Sequence, residues 1–596
     1  MAINNRHDIK LEDTWDLTKV FTSAEEWEKA LKEVNKLVDD VISYKGKIME
    51  SSDTLYNFYV AYDKMNRLSD KVYLYAKMEC DTDTTNHSYK ARKAKVDKFF
   101  EDIISKLSFC TPEILKADYA LVLQYIEEND KLNDFKFDLE KTFRYKAHTL
   151  SEQEEELITK ASNALGTGSE VFYNFDNADI KLASIIDEDG NEVEVTNSNY
   201  GKLMNSRNRE VRKSAFEAMY DYFQKFKNTV SSAYIGQIKE DFFLSDIRKY
   251  KNPLEKSLYN DDISVDVYHN LIEAVHNGLQ SMYKYMSVRK NVLGLDEMHM
   301  YDIYVDIISE KAKDIPFDEG KDIIFNALKP LGEQYLIDLE KAFEERWIDK
   351  YPSVGKRSGA YSWGSYETYP YLLLNYDNTI DSVSTMAHEL GHSMHSYYSN
   401  KYQNSFNCSY PIFLAEIAST VNEVLLNDYL YKNAETKEEK ILYLTEFLDK
   451  VRTTIYRQTM FAEFEMLIHD KYEDGTPITE KELSDTYYEL NKLYYGDNIV
   501  SDDYIRYEWS RIPHFYTPFY VYKYATGLSA AIAIASDILA GNTETKDAYL
   551  EFLKSGGSDY PLAILKRVGV DMTTKAPIEK ALKMFDDKLE ELKKLI

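Results

Sequence analysis

The chain has 596 residues, of which 44% are hydrophobic, and it carries a formal net charge of −29. The length exceeds what one hydrophobic core usually holds, and the apolar fraction predicts a folded protein rather than a disordered one. The negative charge argues against nucleic acid and anionic membrane surfaces as partners. Three cysteines without CxxC spacing and a polar N-terminus without an apolar segment predict a cytoplasmic protein.

Helical patterns dominate the chain, which we divide into three regions. Only 21 glycines and 12 prolines occur, and this scarcity favours long helices over strands and turns. Apolar residues recur at helical spacing between positions 55 and 68, within the first region. The regions are an N-terminal helical region over 1–110, a second helical unit with a β-hairpin over 111–200, and a C-terminal region over 201–596.

The second region begins with a helix-start signal. Thr111 is followed by proline and glutamate, so we predict that Thr111 caps a helix with proline at its first position. Turn-forming residues at 187–191 separate two strand-like segments, 180–186 and 193–195, which predicts a β-hairpin. A long helical pattern over 205–250 then opens the third region.

The segment 358–376 departs from the helical pattern. Glycine and proline punctuate residues rich in tyrosine, tryptophan and leucine, which predicts a small sheet. An edge strand there could pair with an extended peptide through main-chain hydrogen bonds. Gly359, Ala360 and Tyr361 are therefore our candidate substrate-binding residues, although the segment could also be a purely structural hairpin.

The string His388-Glu389-Leu390-Gly391-His392 follows this segment. Residues four apart lie on one face of a helix, so His388 and His392 can bind the same divalent ion. Glu389 then lies beside the ion, where it can accept a proton from a coordinated water. This is the HExxH arrangement of zinc peptidases. The alternative is a surface helix with two chance histidines, but apolar and small residues surround the motif.

A catalytic zinc ion usually has three protein ligands and one open position. The metzincin pattern fails here because position 398 is a tyrosine. We predict that Glu416, in the next helix, is the third ligand. Glu423 lies on the same face of that helix and is predicted to accept a hydrogen bond from a ligand histidine. An ordinary surface carboxylate is the alternative for Glu423. His395 is predicted to pack or to support a ligand residue rather than to bind metal.

Several segments together resemble oligoendopeptidase F, one of the thimet-oligopeptidase-like zinc peptidases. The resemblance runs in order through nearly the whole chain. It implies a mostly α-helical, clam-like or bowl-shaped zincin, with a deep substrate channel and a small β-sheet next to the HExxH helix. It also implies one zinc ion per chain and a catalytic domain over 201–596 that cleaves short unstructured oligopeptides internally. The segments are 15–18, 27–28, 357–364, 370–376, 388–399, 415–420, 457–465 and 513–527.

A tyrosine-rich segment near the C-terminus completes the candidate site. Tyr516, Tyr520 and Tyr524 lie four residues apart, so one helix would align them. Such a row in a chain with 50 tyrosines usually indicates packing. The resemblance instead implies that a histidine and tyrosines of this segment stabilise the oxyanion. It assigns this role to His514 and Tyr524, with Tyr516 as the next candidate.

Three other functions are compatible with parts of the pattern. A metallocarboxypeptidase on a similar helical zinc scaffold is the main alternative. A chaperone-like peptide-binding protein would not need an intact HExxH motif, and a metal store would not need Glu389. The sequence leaves the oligomeric state and the cleavage-site preference open.

Overall fold

The structure is a computed structural model that describes residues 4–308 and 313–596. Helices make up most of this part of the chain, which confirms the predicted mostly α-helical class. Within these residues, none of the helices combines the length and the apolar character that a membrane crossing requires.

The N-terminal part of the chain is helical, as predicted. Ser23 caps the first helix by accepting a hydrogen bond from the Glu26 N–H. The α-helices before the hairpin are α1 (Ala24–Ile42), α2 (Ser52–Thr82), α3 (His87–Leu107), α4 (Cys110–Leu115), α5 (Tyr119–Glu128), α6 (Lys136–Arg144), α7 (Glu152–Leu165) and α8 (Thr167–Asn177).

The predicted cap at Thr111 is wrong, whereas the predicted hairpin is confirmed. Helix α4 begins at Cys110, and its N-cap is Phe109. Thr111 therefore lies inside the first turn, where the proline that follows breaks no helical hydrogen bond. Strands β1 (Ser184–Ile186) and β2 (Glu192–Glu194) pair antiparallel around the predicted turn.

The predicted long helix of the third region is confirmed as α10. The helices between the hairpin and the second sheet are α9 (Asn197–Met204), α10 (Arg209–Ile247), α11 (Pro253–Tyr259), α12 (Val265–Asn277), α13 (Leu279–Val292), α14 (Phe317–Ala327) and α15 (Glu333–Glu344).

The predicted small sheet has three strands, β3 (Ile348–Asp349), β4 (Tyr361–Trp363) and β5 (Tyr371–Leu373). Their order is β3-β5-β4, with β5 parallel to β3 and antiparallel to β4. Strand β3 was not predicted, because two residues are too few for an alternating pattern. Strand β4 lies at the edge of the sheet, which is the position that strand addition by a peptide requires.

The remaining chain is again helical. A π-helical segment, Arg452–Tyr456, joins two of its helices, and two 3₁₀ segments, Asp503–Arg511 and Pro513–Tyr516, precede a third. The α-helices are α16 (Ile380–Tyr402), α17 (Ile412–Asn433), α18 (Lys437–Val451), α19 (Arg457–Glu473), α20 (Glu480–Tyr495), α21 (Tyr522–Leu539), α22 (Thr543–Ser555), α23 (Pro561–Arg567) and α24 (Ala576–Leu595).

The helices and sheets form two compact units, and each unit combines three separate chain segments. The first unit contains α16 and the three-stranded sheet. The predicted division at 110/111 and 200/201 stays a prediction. The segments are Met1–Ala147, Ala312–Tyr429 and Ile534–Gly569 for the first unit, and His148–Lys311, Leu430–Ala533 and Val570–Ile596 for the second.

Candidate metal centre

Helix α16 carries the HExxH motif in the first unit. Its N-terminus is capped by Thr379, whose side chain accepts a hydrogen bond from the Ser382 N–H. The side chains of Ala387, Leu390 and Met394 are fully buried, so the apolar face fixes the rotation of the helix. This rotation leaves the two histidines of the motif partly exposed.

Helix α17 crosses α16 at Gly391, between the two histidines. A Cβ atom at Gly391 would lie 2.5 Å from Ser419 Cα and 2.7 Å from the Ala418 carbonyl oxygen. Only glycine therefore allows the two backbones to approach this closely. The Asn422 side chain strengthens the crossing by donating a buried hydrogen bond to the Ala387 carbonyl, at 3.0 Å.

The crossing brings three donor atoms together at one point. His388 Nε2 lies 3.1 Å from His392 Nε2, and Glu416 Oε2 lies 3.4 Å and 3.6 Å from these two nitrogens. The side chains of His388, His392 and Glu416 are 26%, 17% and 39% exposed, so water and substrate can reach them. These three residues are the only such metal-ligand group of histidine, cysteine and acidic side chains among the described residues.

The donor set fits a zinc ion in chemistry and in spacing. Tetrahedral zinc with bond lengths of about 2.0–2.2 Å requires its ligand atoms to be about 3.3–3.6 Å apart. The three measured separations lie at or close to this range. Two imidazoles and one carboxylate are also the ligand types found in catalytic zinc sites, which keep one position open.

Glu423 orients one of the ligand histidines. The His388 Nδ1 lies 3.1 Å from Glu423 Oε1, and because a carboxylate only accepts, Nδ1 donates the hydrogen bond. The unprotonated Nε2 of the neutral ring can then face the other donors. Burial is the largest single influence and opposes protonation of His388, but this hydrogen bond and the negative charges of the neighbouring glutamates together raise its pKa.

The other two motif residues are held in forms suited to a metal centre. Burial and the neighbouring His388 ring lower the pKa of His392 to about 4, so His392 is neutral and free to bind metal. Burial raises the pKa of Glu389 to about 7, and a nearby cation would lower it. The Glu389 Oε2 atom is buried without a hydrogen-bond partner among the described residues, which leaves it available for a water molecule.

Strand β4 lies directly against the motif helix. The Ser362 hydroxyl lies 2.8 Å from the Ser393 hydroxyl on α16. The backbone N–H of Ser362 also lies close enough to the Glu389 carboxylate to lower its pKa, which opposes the effect of burial. The candidate base is therefore located beside the edge strand of the sheet.

Of the predicted substrate-binding residues, Tyr361 begins this strand, and Gly359 and Ala360 directly precede it. Gly359 has a φ of +80°, and its carbonyl accepts a hydrogen bond from the Asn375 side chain at 2.7 Å. Gly359 and Ala360 line a small cavity of about 260 Å³ that also includes Thr385 of the motif helix. The Tyr361 hydroxyl donates to Asp81 at 2.8 Å, so this side chain anchors the strand, and only its backbone is left to contact a peptide.

His395 packs in the core, as predicted. Its ring stacks on Tyr410 with a centroid separation of 3.6 Å and lies 5.0 Å from the ring of Phe552. Burial lowers the pKa of His395 to about 3, so the ring stays neutral.

His514 and Tyr524 meet in the second unit. The Tyr524 hydroxyl lies 3.3 Å from His514 Nε2, and the Tyr520 ring lies parallel to the His514 ring with centroids 6.1 Å apart. Burial, followed by the charge of Arg457, lowers the pKa of His514 and favours its neutral form. The structure therefore forms a polar cluster from two predicted residues and from Tyr520, which had no predicted role.

The predicted alignment of the tyrosines on one helix is wrong. The 3₁₀ segment ends at Tyr516, Phe519 adopts a φ of +53°, and α21 begins only at Tyr522. The Tyr516 ring stacks instead on Phe172, with centroids 4.3 Å apart. The role of Tyr516 in catalysis stays a prediction.

Sequence reasoning missed Ser362, Asp81 and Tyr520. Ser362 and Asp81 act through contacts with residues far away in the chain, and a single sequence contains no signal for such contacts. Tyr520 lies within the tyrosine row, but its approach to His514 depends on the irregular backbone at Phe519.

Comparisons with known proteins identify the family of this chain. Residues 202–584, more than half of the chain, match the sequence model of a family described as Peptidase family M3. Residues 113–181 match a second family, described as Oligopeptidase F.

Individual relatives are similar over almost the whole chain. Oligopeptidase PepF of Bacillus subtilis is 43% identical over 592 residues, which cover 99% of this chain and 88% of the relative. Group B oligopeptidase PepB of Streptococcus agalactiae is 38% identical, with coverages of 100% and 98%. The crystal structure of oligoendopeptidase-F from Enterococcus faecium superposes with a TM-score of 0.74 at 33% identity, covering 96% of this chain and 99% of that chain.

Proposed function

Since this chain belongs to peptidase family M3, we propose that His388, His392 and Glu416 hold one zinc ion and that Glu389 is the general base of peptide-bond hydrolysis. The observation that carries this proposal is the group of three donor atoms, separated by 3.1 to 3.6 Å. Family membership makes the chain a metallopeptidase of oligopeptides. The identity of the metal and the roles of the residues are our proposal.

A bound zinc ion would supply Lewis acidity and would make a coordinated water more acidic. Glu389 accepts a proton from the water as its oxygen attacks the carbonyl carbon of the scissile bond. It then delivers this proton to the nitrogen of the departing amine as the C–N bond breaks. Glu423 keeps His388 in the orientation that metal binding needs.

Strand β4 is the proposed binding surface for the substrate backbone. The strand lies at the edge of its sheet and beside Glu389, so an extended peptide paired with it would place its main chain near the base. Backbone pairing alone would give affinity with little dependence on sequence. A folded protein would not present such an unpaired strand, which fits oligopeptides as substrates.

His514 and Tyr524 are the proposed donors to the oxyanion of the tetrahedral intermediate. The neutral His514 ring and the Tyr524 hydroxyl can each donate one hydrogen bond. Removing one such donor typically reduces kcat by about 10²–10³-fold. Tyr516 is the next candidate, although its ring packs against Phe172.

The decisive test replaces Glu389 with glutamine. We expect Glu389→Gln to bind one zinc ion per chain and to lose about 10²–10⁴-fold in kcat, because only the base is removed. Zinc content by atomic absorption and cleavage of an internally quenched peptide measure the two effects. The matched control is Glu435→Gln, at an exposed position after α17, and it should retain full activity. Ordinary turnover by zinc-loaded Glu389→Gln would refute the assigned role.

The same peptide separates an endopeptidase from a carboxypeptidase if its C-terminus is amidated. An endopeptidase cleaves it internally and gives two fragments, whereas a carboxypeptidase needs a free C-terminal carboxylate. Mass spectrometry of the products distinguishes these outcomes.

A further inference from the structure

A cavity of about 650 Å³ opens in the first unit at the end of strand β4. The end of β4 and the residues that follow it, Ser362 to Tyr366, form one wall. Helices α2, α3 and α16 and the segment after α16 form the others. The volume is in the range typical of small-ligand pockets. The strand that leads into the cavity is also the one whose Ser362 amide contacts Glu389.

The walls are aromatic. The rings of Tyr73, Phe100, Trp363, Tyr366 and Phe406 all line the space. Aromatic faces attract cations as well as apolar groups, and the attraction grows where water is partly excluded.

Arg67 lines the cavity, Lys77 and Lys93 lie over two of its aromatic rings, and all three are paired with acidic side chains. Arg67 bonds both Asp63 and Glu367. Lys77 bonds Asp81 at 2.5 Å, and Lys93 bonds Asp97 at the same distance. None of these three cations is therefore free to neutralise a further acid in the cavity.

Asp70 is the exception among the acids. Its carboxylate lines the cavity and has no hydrogen bond or ion pair with any residue in 4–308 or 313–596. Solvent can reach the Asp70 side chain through the cavity. The protein atoms around it still exclude part of the surrounding water, and this desolvation raises the pKa of Asp70 to about 6. Asp70 is therefore ionised at about pH 7.5 and lacks a counter-ion. A charge in this situation is stabilised by any cation that enters the cavity.

We propose that this cavity is a specificity subsite that binds a cationic group of the substrate peptide, with Asp70 as its counter-ion and the aromatic walls around its stem. The cation is a lysine or arginine side chain or the peptide's α-ammonium group, which share the same chemistry. This proposal rests on the proposed peptidase function, because a peptide paired with β4 is what brings the cation to the cavity.

The test uses a series of internally quenched peptides that differ at one position, which carries lysine, norleucine or glutamate in turn. The scan is repeated at each position around the cleaved bond, with acetylated and with free N-termini. We expect wild-type kcat/KM to be about tenfold higher for lysine than for norleucine at one position, as for one partly shielded charge pair. Glutamate should be cleaved more slowly than norleucine there.

The variant Asp70→Asn should remove the preference for lysine and leave the norleucine peptide within about twofold of wild type. The control Asp102→Asn changes an exposed aspartate on α3 that does not line the cavity, so it should keep the preference. As a second variant, Asp70→Lys should reverse the order and favour glutamate. A preference seen only with free N-termini would identify the α-ammonium group as the source.

Equal cleavage of lysine and norleucine peptides at every position and with both N-termini would overturn the subsite, as would an unchanged preference in Asp70→Asn. Neither result would affect the peptidase proposal. That proposal fails separately if zinc-loaded wild-type protein cleaves none of the peptides.

Discussion

The pKa and the role of an individual carboxylate in this protein depend on its burial and its hydrogen-bond partners. Glu389 is buried beside a backbone amide, Glu423 is bonded to an imidazole, and Glu465 is buried with its Oε1 atom accepting the Phe519 N–H at 2.6 Å. Burial raises the pKa values of Glu389 and Glu465. The same type of side chain therefore has three different roles, which its surroundings determine.

Removing the contact between Glu423 and His388 should weaken metal binding. Mutating such a hydrogen-bond partner of a metal ligand typically costs about 10–100-fold in affinity. We therefore expect Glu423→Ala to raise the zinc dissociation constant by that factor, as measured by competition with a fluorescent chelator. Glu435→Ala serves as the control, since its side chain is exposed. If Glu423→Ala bound zinc as tightly as wild type, its contact with His388 would have no role in the metal site.

Glu465 should make stability depend on pH, because the folded protein keeps it neutral. Its pKa is raised well above the ordinary value, while the unfolded chain ionises near pH 4.3. Its contribution is therefore present at low pH and is lost as the pH rises from the unfolded value toward the folded one. Urea unfolding should show Glu465→Gln, which keeps the acceptor for Phe519, gaining stability relative to wild type as the pH rises above about 4.

The matched variant Glu465→Leu removes the acceptor and leaves the Phe519 N–H unsatisfied. We expect it to lose about 1–3 kcal/mol of unfolding free energy at about pH 4. A stability difference between wild type and Glu465→Gln that did not change with pH would contradict a neutral Glu465.

The proposed metal ligands were predictable from single residues because local geometry links them. Helical spacing alone places His388 and His392 together, and the next helix in the chain offers few acids. Asp70 and Ser362 were not predictable, since their importance depends on a cavity and a strand edge that the chain forms only on folding.

At the scale of elements, the crossing of α16 and α17 determines whether the site exists. Gly391 should be irreplaceable because a methyl group there would overlap Ser419 and Ala418. We expect Gly391→Ala to separate the helices, to cost about 1–3 kcal/mol in unfolding free energy and to weaken zinc binding. Thermal unfolding with and without zinc measures both effects.

The control for this substitution is Gly201→Ala in α9. A Cβ atom at Gly201 meets no other atom within 4 Å, so alanine should leave stability unchanged or raise it slightly, by up to about 1 kcal/mol. Wild-type stability and zinc affinity in Gly391→Ala would show that the two helices tolerate a wider separation.

Most elements could be predicted from periodicity, whereas their irregular ends could not. Helices α2 and α10 and the hairpin follow their sequence patterns. The tyrosine row failed because the positive φ of Phe519 interrupts a segment with good helical spacing, and Phe519 is held by Glu465 from a different helix. Periodicity contains no record of such long-range contacts.

At the scale of the whole molecule, each compact unit is assembled from distant chain segments. In the first unit, Arg6 forms an ion pair with Asp349 of the sheet, and Asp81 of α2 accepts from Tyr361. The predicted domain over 201–596 contains Asp349 and Tyr361 but lacks their partners. Expression of that fragment, followed by zinc analysis, would test the predicted boundary directly.

Removing the metal should destabilise the protein, because a ligand that binds only the folded state adds to its stability. Zinc at about 1,000 times its dissociation constant contributes about 4 kcal/mol. We expect a chelator to lower Tm in differential scanning calorimetry and added zinc to restore it. Glu389→Gln should respond like wild type, whereas His388→Ala should not respond. A Tm that a chelator leaves unchanged in wild type would contradict a metal held by these three residues.

The edge position of β4 has a consequence for inhibitor chemistry. A strand that binds its partner through amide and carbonyl groups is sensitive to changes in the partner's backbone. Methylating a peptide nitrogen that faces β4 would remove a donor and add a clash, while methylating a nitrogen on the opposite edge would leave docking intact. Peptidomimetics methylated on alternate nitrogens should therefore divide into two series, one that competes with substrate and one that does not.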